Sequence, residues 1–236
     1  PRLAGHAPFG EETGDEPLML AASGEAWISR RRPLGAEAMR AAGVEAVVLD
    51  DGHQNPSLRK SCSIVVIDAE EPFGNGFVFP KGPLREPVEA GLARADAVVL
   101  MGGDKPPPAA LARLGRPVLR ARLEALSHPA PGSYVAFAGI GRPQRFFDAL
   151  GAMPGVEVAD AAPFPDHHAY SEGDIAYLRR LARERGPARL ITTAKDHVRL
   201  PAAMRDEVAV AHVEARFEDE QPLSDLLDAA LARGAP

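Results

Sequence analysis

One stretch constrains the fold more than any other: an apolar run that leads directly into two carboxylates and a glycine. Residues 46–49 read Ala-Val-Val-Leu, and Asp50, Asp51 and Gly52 follow. The pattern predicts a buried parallel strand at 45–49 that delivers charge to the carboxyl edge of an open α/β sheet, where ligands bind. Adjacent carboxylates favour a bound cation, so Asp50 and Asp51 are candidate Mg²⁺ ligands of a phosphate-handling enzyme. The alternative is an aspartate turn, because Asp-Gly is a strong turn signal.

Length and composition narrow the class of protein. The 236 residues allow one large α/β domain or two small ones, and 45% hydrophobic residues permit a packed core. The net charge of −6 lacks the basic footprint of a nucleic-acid binder. Cys62 is the only cysteine, which excludes an internal disulfide and fits a reducing cytoplasm. No apolar run in the sequence is long enough to span a bilayer, and there is no signal peptide.

Short apolar strands alternate with helical segments along the chain, which indicates a parallel sheet. Strands are predicted at 27–29, 45–49, 64–67, 97–100, 134–138, 190–192 and 208–213. Helices are predicted at 16–22, 34–42, 88–94, 143–153, 174–185 and 223–233, with Ser171 as the N-cap of the fifth. The Gly/Pro-rich segment 69–87 is too irregular for an ordinary connection and is typical of a functional loop.

Chemistry-bearing side chains are concentrated in residues 166–170. Asp166, His167, His168 and Tyr170 place an acid, two imidazoles and a phenol in one Pro-flanked loop. Histidine serves as a general base, a proton shuttle or a metal ligand, which favours a functional site. The alternative is a hydrogen-bonded loop in which one histidine caps the following helix.

Two other loops follow predicted strands. Residues 139–143 (Gly-Ile-Gly-Arg-Pro) could bind an anion at a helix start, with Arg142 adding charge, or could form a tight turn. In residues 192–196, Lys195 could meet a phosphate that Asp196 orients, or the two could be a solvated charge pair.

An acidic turn near the start of the chain, Asp15-Glu16, could supply a base. Asp15 could accept a proton from a substrate hydroxyl whose pKa is lowered by a nearby Mg²⁺. The alternative is that both acids complement a helix dipole.

Together these motifs resemble the tetraacyldisaccharide 4′-kinase family, the lipid A pathway kinases of Gram-negative bacteria. The segments that carry the resemblance are Gly14-Asp15-Glu16-Pro17-Leu18, Asp50-Asp51-Gly52-His53-Gln54-Asn55, Gly74-Asn75-Gly76, Gly82-Pro83-Leu84-Arg85-Glu86-Pro87, Phe137-Ala138-Gly139-Ile140-Gly141-Arg142-Pro143, Phe164-Pro165-Asp166-His167-His168 and Thr192-Thr193-Ala194-Lys195-Asp196. They occur in the family's order and run through nearly the whole chain.

The resemblance implies a fold and an activity. The fold is α/β: a remnant of a P-loop NTPase-like parallel sheet, in residues 1–88 and rejoined by 216–236, joined to a smaller α/β domain in 89–215. The activity is transfer of the ATP γ-phosphate to the 4′-hydroxyl of tetraacyldisaccharide 1-phosphate, with Mg²⁺. The implied location is the cytoplasmic face of the inner membrane, through peripheral contact, with no nucleic-acid partner and with the fragment itself soluble.

The resemblance also implies residue roles. Asp15 would be the catalytic base. Its partner, brought from the other domain by domain closure, would be His167 or His168, and motif position alone selects His167. Asp50 and Asp51 would hold Mg²⁺, and Glu16 would organise the same region. Asn75, Arg85 and Arg142 are expected substrate contacts.

The sequence departs from the family pattern in three places. It contains no Gly-x-x-x-x-Gly-Lys-Ser/Thr phosphate loop, and the family's N-terminal membrane-associating helix is missing too. We therefore expect a chain truncated at its N-terminus, with no nucleotide-cradling residues and little activity alone. Ala194 replaces a usual glutamate, and His53 replaces a more common apolar residue.

The same residues also fit two other classes of protein. A metal-dependent phosphoesterase could use Asp166, His167 and His168 with Asp50 and Asp51 in a two-metal site. The other alternative is a non-catalytic binding fragment.

Overall fold

The computed structural model describes residues 2–3, 15–125, 129–186 and 188–233, without the side chains of Arg2, Leu3, Asp15, Leu18, Ala22 and Ser23. The elements are, in chain order, β1 (Arg2–Leu3), α1 (Asp15–Ser23), β2 (Ala26–Trp27), α2 (Arg32–Ala41), β3 (Ile64–Asp68), α3 (Val88–Leu92), β4 (Ala97–Met101), α4 (Ala109–Ala112), β5 (Val118–Ala125), β6 (Gly132–Ala138), α5 (Pro143–Gly151), β7 (Val156–Pro163), α6 (Glu172–Glu184), β8 (Arg189–Thr193), α7 (Ala194–His197), α8 (Ala202–Arg205), β9 (Val208–Ala211), β10 (Val213–Phe217) and α9 (Gln221–Ala232). Among these helices, none has both the length and the apolar character that a bilayer crossing requires.

The chain forms two compact units. The first unit comprises Pro1–Ile28 and Ala125–Val213, and the second comprises Ser29–Glu124 and Glu214–Pro236. The sequence-based boundary at residue 88 falls inside the second unit, because β3 and β4 pair in parallel across it. Asp15 and His167, which the sequence analysis assigned to different domains, both belong to the first unit.

The first unit is built on a parallel sheet with the strand order β7-β6-β8-β9. Its central strand β6 is buried on both faces: Phe137 packs in one cluster with Leu178 of α6, and Ala136 packs in another with Phe147 of α5. Burial on both faces explains why β6 is a continuous apolar run. Because Phe137 and Thr192 are register partners, the loops after β6 and β8 leave the sheet at the same edge.

The second unit contains a sheet with the order β10-β5-β4-β3, in which β3, β4 and β5 are parallel. Val98 and Leu100 pack on one side with Leu111 of α4, and Val99 packs on the other side with the partly buried Phe217 and with Leu223 of α9, which is also partly buried. Residues 214–233 belong to this unit, and the Glu218 amide donates to the Arg120 carbonyl at 3.0 Å.

The predicted strand at 45–49 is wrong. Residues 44–49 form no strand, and Val48 is 97% exposed. A short apolar run does not by itself specify a strand, since a strand also needs a neighbour that completes its hydrogen bonds. The Asp-Gly turn is present instead: Asp51 has a left-handed φ of 49°, and the Asn55 amide donates to the Gly52 carbonyl.

Candidate active site

Loops at the carboxyl edge of the first unit's sheet converge on one buried carboxylate, Asp196, whose side chain is fully buried. Its Oδ1 accepts hydrogen bonds from the Gly139 amide and the Tyr170 hydroxyl, both at 3.0 Å. Its Oδ2 accepts one from the Thr193 hydroxyl at 2.7 Å. A Cβ at Gly139 would lie 2.9 Å from the Pro165 carbonyl oxygen, so the close approach requires glycine. Asp196 is therefore a structural anchor, and burial removes it from the phosphate-orienting role that the sequence suggested.

Arg199 carries the positive charge that balances Asp196. Its side chain is 5% exposed, and Nη1 lies 3.1 Å from Asp196 Oδ1. The same nitrogen donates to the Gly139 carbonyl at 2.8 Å. Burial and the negative charge of Asp196 raise the pKa of the Tyr170 phenol far above its ordinary value, so Tyr170 remains a hydrogen-bond donor.

His167 is the outward-facing member of this group. Its Nδ1 lies 3.0 Å from Arg199 Nη2, while the side chain is 56% exposed. Its backbone has a left-handed φ of 58° and donates to the Gly139 carbonyl at 3.1 Å. The loop thus holds the backbone firmly and presents the imidazole to solvent.

His168 has a different environment. Its Nε2 lies 3.1 Å from Asp174 Oδ2, and its ring packs 4.8 Å from the Phe164 ring. Asp174 and Ser171 form a reciprocal capping box at the start of α6. The Ser171 hydroxyl is the main cause that lowers the pKa of the Asp174 carboxyl, with further contributions from the Ser171 amide and His168. His168 therefore supports the helix cap, as the structural interpretation of this loop expected.

The helix α1 begins at Asp15, and it contacts the segment that carries Asp196 and Arg199. The Asp15 side chain and Gly14 lie outside the described part of the chain. Glu16 Oε1 is 3.2 Å from Lys195 Nζ of α7. Residues 193–199 thus contact both the helix that starts at Asp15 and the loop that carries His167.

The Asp50–Asp51 pair lies in the second unit, on an exposed turn. Arg85 Nη2 lies 3.2 Å from Asp51 Oδ2, with side chains 64% and 73% exposed, so Asp51 has a cationic neighbour that the sequence did not reveal. Arg32 donates to the carbonyls of both aspartates. Within the described ranges, no three His, Cys, Asp or Glu side chains group to hold a metal ion. Mg²⁺ commonly takes only one or two protein carboxylates beside phosphates and waters, and two exposed carboxylates fit that requirement.

The predicted substrate-binding residues have mixed surroundings. Asn75 donates to the Lys81 carbonyl at 2.8 Å and accepts from the Phe77 amide at 3.1 Å, so both ends of its amide hold the loop together. A cleft of about 590 Å³ opens beside this loop. Its apolar lining includes Phe73, Phe77 and Val88.

Arg142 is exposed at the N-cap of α5, where its charge adds to the positive end of the helix.

Sequence reasoning missed Arg199 of the buried cluster, and it named Tyr170 only as one polar side chain of the 166–170 loop, without its contact to Asp196. The Thr-x-x-Asp spacing of Thr193 and Asp196 is a helix-start signal that could have indicated the turn, because Thr193 is the N-cap of α7. No comparable pattern points to Arg199.

His53, expected to be tolerated on a loop, hydrogen-bonds Ser63 Oγ at 2.6 Å and the Gly91 carbonyl at 3.0 Å.

Comparison with known proteins identifies the family. The model of the tetraacyldisaccharide-1-P 4′-kinase family matches residues 3–232. The chain belongs to this family. A tetraacyldisaccharide 4′-kinase of Hyphomonas neptunium is 59% identical over 216 residues, which is 92% of this chain and 64% of that protein. The enzyme of the same name from Maricaulis maris is 50% identical over 220 residues, 91% of this chain and 64% of its own length. The chain thus spans slightly less than two thirds of the length of these two relatives.

A solved structure confirms the fold class of this family member. LpxK from Aquifex aeolicus, crystallised in complex with ATP, superimposes with a TM-score of 0.68 at 25% identity. The match covers 94% of this chain and 70% of the crystallised chain. The α/β fold with parallel, P-loop NTPase-like sheet architecture predicted from the sequence is confirmed.

Proposed function

We propose that this chain contributes to an ATP-dependent tetraacyldisaccharide 4′-kinase that transfers the γ-phosphate to the 4′-hydroxyl of tetraacyldisaccharide 1-phosphate in lipid A biosynthesis. Family membership and the names of the relatives support the reaction. The observation that carries the site is the segment 193–199, which contacts α1 at 3.2 Å through Lys195 and His167 at 3.0 Å through Arg199.

In this proposal Asp15 is the base that accepts the proton of the sugar hydroxyl, and His167 is its partner. Phosphoryl transfer depends on positioning and charge neutralisation more than on covalent chemistry. A carboxylate base needs a neighbour that controls its protonation, and a half-exposed imidazole on a pinned backbone suits that role. His168 is a poorer candidate, because Asp174 and Phe164 hold its ring.

Asp50 and Asp51 are the proposed Mg²⁺ ligands, and Glu16 is proposed to organise the metal and phosphate region. When bound, Mg²⁺ would neutralise charge on the transferring phosphoryl group and its neighbours. The chain's own contribution is an exposed turn that leaves both carboxylates accessible. Lys195 holds Glu16 in place at 3.2 Å.

Arg85, Arg142 and Asn75 are proposed substrate contacts. Arg85 and Arg142 are exposed guanidinium groups, which suit phosphate groups on the substrate. Asn75 acts through the loop that it holds, and the apolar cleft beside that loop suits acyl chains. We further propose peripheral contact with the cytoplasmic face of the inner membrane, where such a lipid is available.

The absence of a phosphate-loop motif from the sequence leads to a specific expectation. Residues 1–236 alone should turn over little ATP, because backbone amides and a lysine that cradle the phosphates are not supplied. Activity should appear when a segment that carries the Gly-x-x-x-x-Gly-Lys-Ser/Thr motif is placed upstream of this chain.

The test measures ATP-dependent phosphorylation of tetraacyldisaccharide 1-phosphate by that extended protein and by the 236-residue chain. His167→Gln in the extended protein should reduce transfer by about 10²–10⁴-fold, the usual contribution of acid–base groups. His212→Gln, an exposed histidine outside the cluster, is the matched control. A folded extended protein that transfers no phosphate would contradict the proposal, and full activity of the 236-residue chain would contradict the role given to the phosphate loop.

A further inference from the structure

The group around Asp196 contains a buried ion pair with Arg199, and the same arginine hydrogen-bonds one ring nitrogen of His167. The kinase chemistry does not itself require this contact. Asp196 accepts hydrogen bonds from Gly139, Tyr170, Thr193 and Arg199. Arg199 is nearly as buried as the carboxylate it faces, at 5% exposure. Burying such a pair is costly unless its hydrogen bonds are satisfied, and here the carboxylate uses both oxygens.

The direction of the last hydrogen bond follows from chemistry alone. A guanidinium group has five N–H donors and no acceptor. Since Arg199 Nη2 lies 3.0 Å from His167 Nδ1, the nitrogen Nδ1 must accept, and the proton of the neutral imidazole must reside on Nε2. Nε2, which lies 3.9 Å from Asp166 Oδ1, is therefore the nitrogen of His167 that can donate a hydrogen bond.

The backbone carbonyl of Gly139 holds both residues of this contact. The Gly139 carbonyl accepts from Arg199 Nη1 at 2.8 Å and from the His167 amide at 3.1 Å. The His167 amide also faces Asp166 Oδ1 at 3.0 Å. A left-handed φ of 58° in a histidine is uncommon, and these bonds hold it in that conformation.

We infer that Arg199, oriented by Asp196, is a positioning residue that fixes His167 as its Nε2–H tautomer and so presents a hydrogen-bond donor rather than a base. This inference rests on the proposed function in one respect, the identity of the acceptor, which would be the carboxylate of Asp15. The motif 192–196 thereby acquires a role through its last residue: Asp196 holds the guanidinium that selects the tautomer.

The tautomer is measured directly, without any kinase activity, by long-range ¹H–¹⁵N correlation on the chain with ¹⁵N-labelled histidine. The wild-type spectrum should show His167 protonated at Nε2 and unprotonated at Nδ1. Arg199→Met should lower the ratio of the Nε2–H to the Nδ1–H form by about tenfold, since it removes a hydrogen bond from a charged donor. Arg183→Met, an exposed arginine of α6, should leave the ratio unchanged.

Two further measurements keep the inference open to refutation if Arg199→Met does not fold. Arg199→Lys retains a cationic donor and should retain most of the Nε2–H form. The wild-type spectrum alone would overturn the inference if Nδ1 carried the proton, and an unchanged ratio in a folded Arg199→Met protein would do the same.

The extended, phosphate-loop-bearing protein separates this inference from the proposed function. Arg199→Met should lower kcat by about tenfold while the KM for ATP stays within about twofold, and Arg199→Lys should restore part of kcat. If the extended protein has no kinase activity but the tautomer result holds, the proposed function fails and the positioning role of Arg199 stands. If the tautomer changes while kcat does not, the link between Arg199 and transfer is refuted.

Discussion

Two regions of this protein carry acidic residues directly after an apolar segment, but the acids are buried in one region and exposed in the other. In the first unit, β8 leads to Asp196, which is fully buried and hydrogen-bonded through both oxygens. In the second unit, an apolar run leads to Asp50 and Asp51, which lie on an exposed turn. The same local signal therefore yields a structural anchor in one place and accessible carboxylates in the other. A buried acid with satisfied bonds organises its neighbours, whereas an exposed acid is available to a ligand.

The largest effect on stability is expected when the buried acid is removed. Asp196→Ala leaves the Arg199 guanidinium buried without its partner, which should lower the free energy of unfolding by about 3–5 kcal/mol. Urea unfolding followed by far-ultraviolet circular dichroism measures this loss, because that signal reports on the helices of both units. Asp51→Ala should change the same transition by no more than about 0.5 kcal/mol. Similar losses from the two substitutions would refute the distinction.

The exposed Asp50–Asp51 pair should show the reverse: its loss should lower activity and leave stability unchanged. In the extended protein, Asp51→Asn should reduce phosphate transfer on the order of 10²-fold, as expected when a charge-stabilising group is lost, and should leave unfolding unaffected. Asp104→Asn, another exposed acid of the second unit, is the control. Unchanged transfer in Asp51→Asn, at saturating Mg²⁺ and ATP, would remove Asp51 from the proposed metal site.

A smaller effect is expected at the cap of α6. Ser171→Ala removes the side chain that accepts from the Asp174 amide and donates to its carboxylate, and should cost about 1 kcal/mol of unfolding free energy. Ser171→Thr keeps the hydroxyl and should recover most of this loss. Urea unfolding followed by far-ultraviolet circular dichroism measures both variants, and a loss in Ser171→Thr as large as in Ser171→Ala would assign the effect to packing.

The cap also makes stability depend on pH in a defined direction. The pKa of Asp174 is lowered in the folded protein, chiefly by the Ser171 hydroxyl. Its contribution is therefore complete above the unfolded-state pKa of about 3.9 and is lost as pH falls through the lower folded value. The stability difference between wild type and Asp174→Asn should shrink in that acidic range, and a difference that persists below it would contradict the assignment.

The smallest effect is expected at the Arg85–Asp51 pair. Both side chains are more than half exposed, so Arg85→Met should change the free energy of unfolding by less than about 1 kcal/mol, and less still in high salt. Denaturation at two salt concentrations measures this. A large, salt-independent loss would mean that the second unit depends on this contact, and the contrast with Asp196 would weaken.

Sequence patterns predicted the parts of the fold that depend on local order. The strands β4 and β6 contain continuous apolar runs because both of their faces are covered, and the cap of α6 follows from a serine three residues before an acid. Strands β5 and β7 were missed, since β5 mixes arginine with leucine and β7 mixes acids with alanine, without a clear apolar run.

The family, the α/β class and the set of candidate side chains follow from the sequence, because spacing and residue type are local properties. Which acid is buried, which histidine faces outward and the absence of a strand at 46–49 follow from tertiary packing. The bond from Gly139 to Asp196 joins residues 57 positions apart, and the contact from Arg199 to His167 spans 32. Such contacts form when sheet packing brings distant loops to one edge, and the free energy of that packing is not encoded in any short pattern.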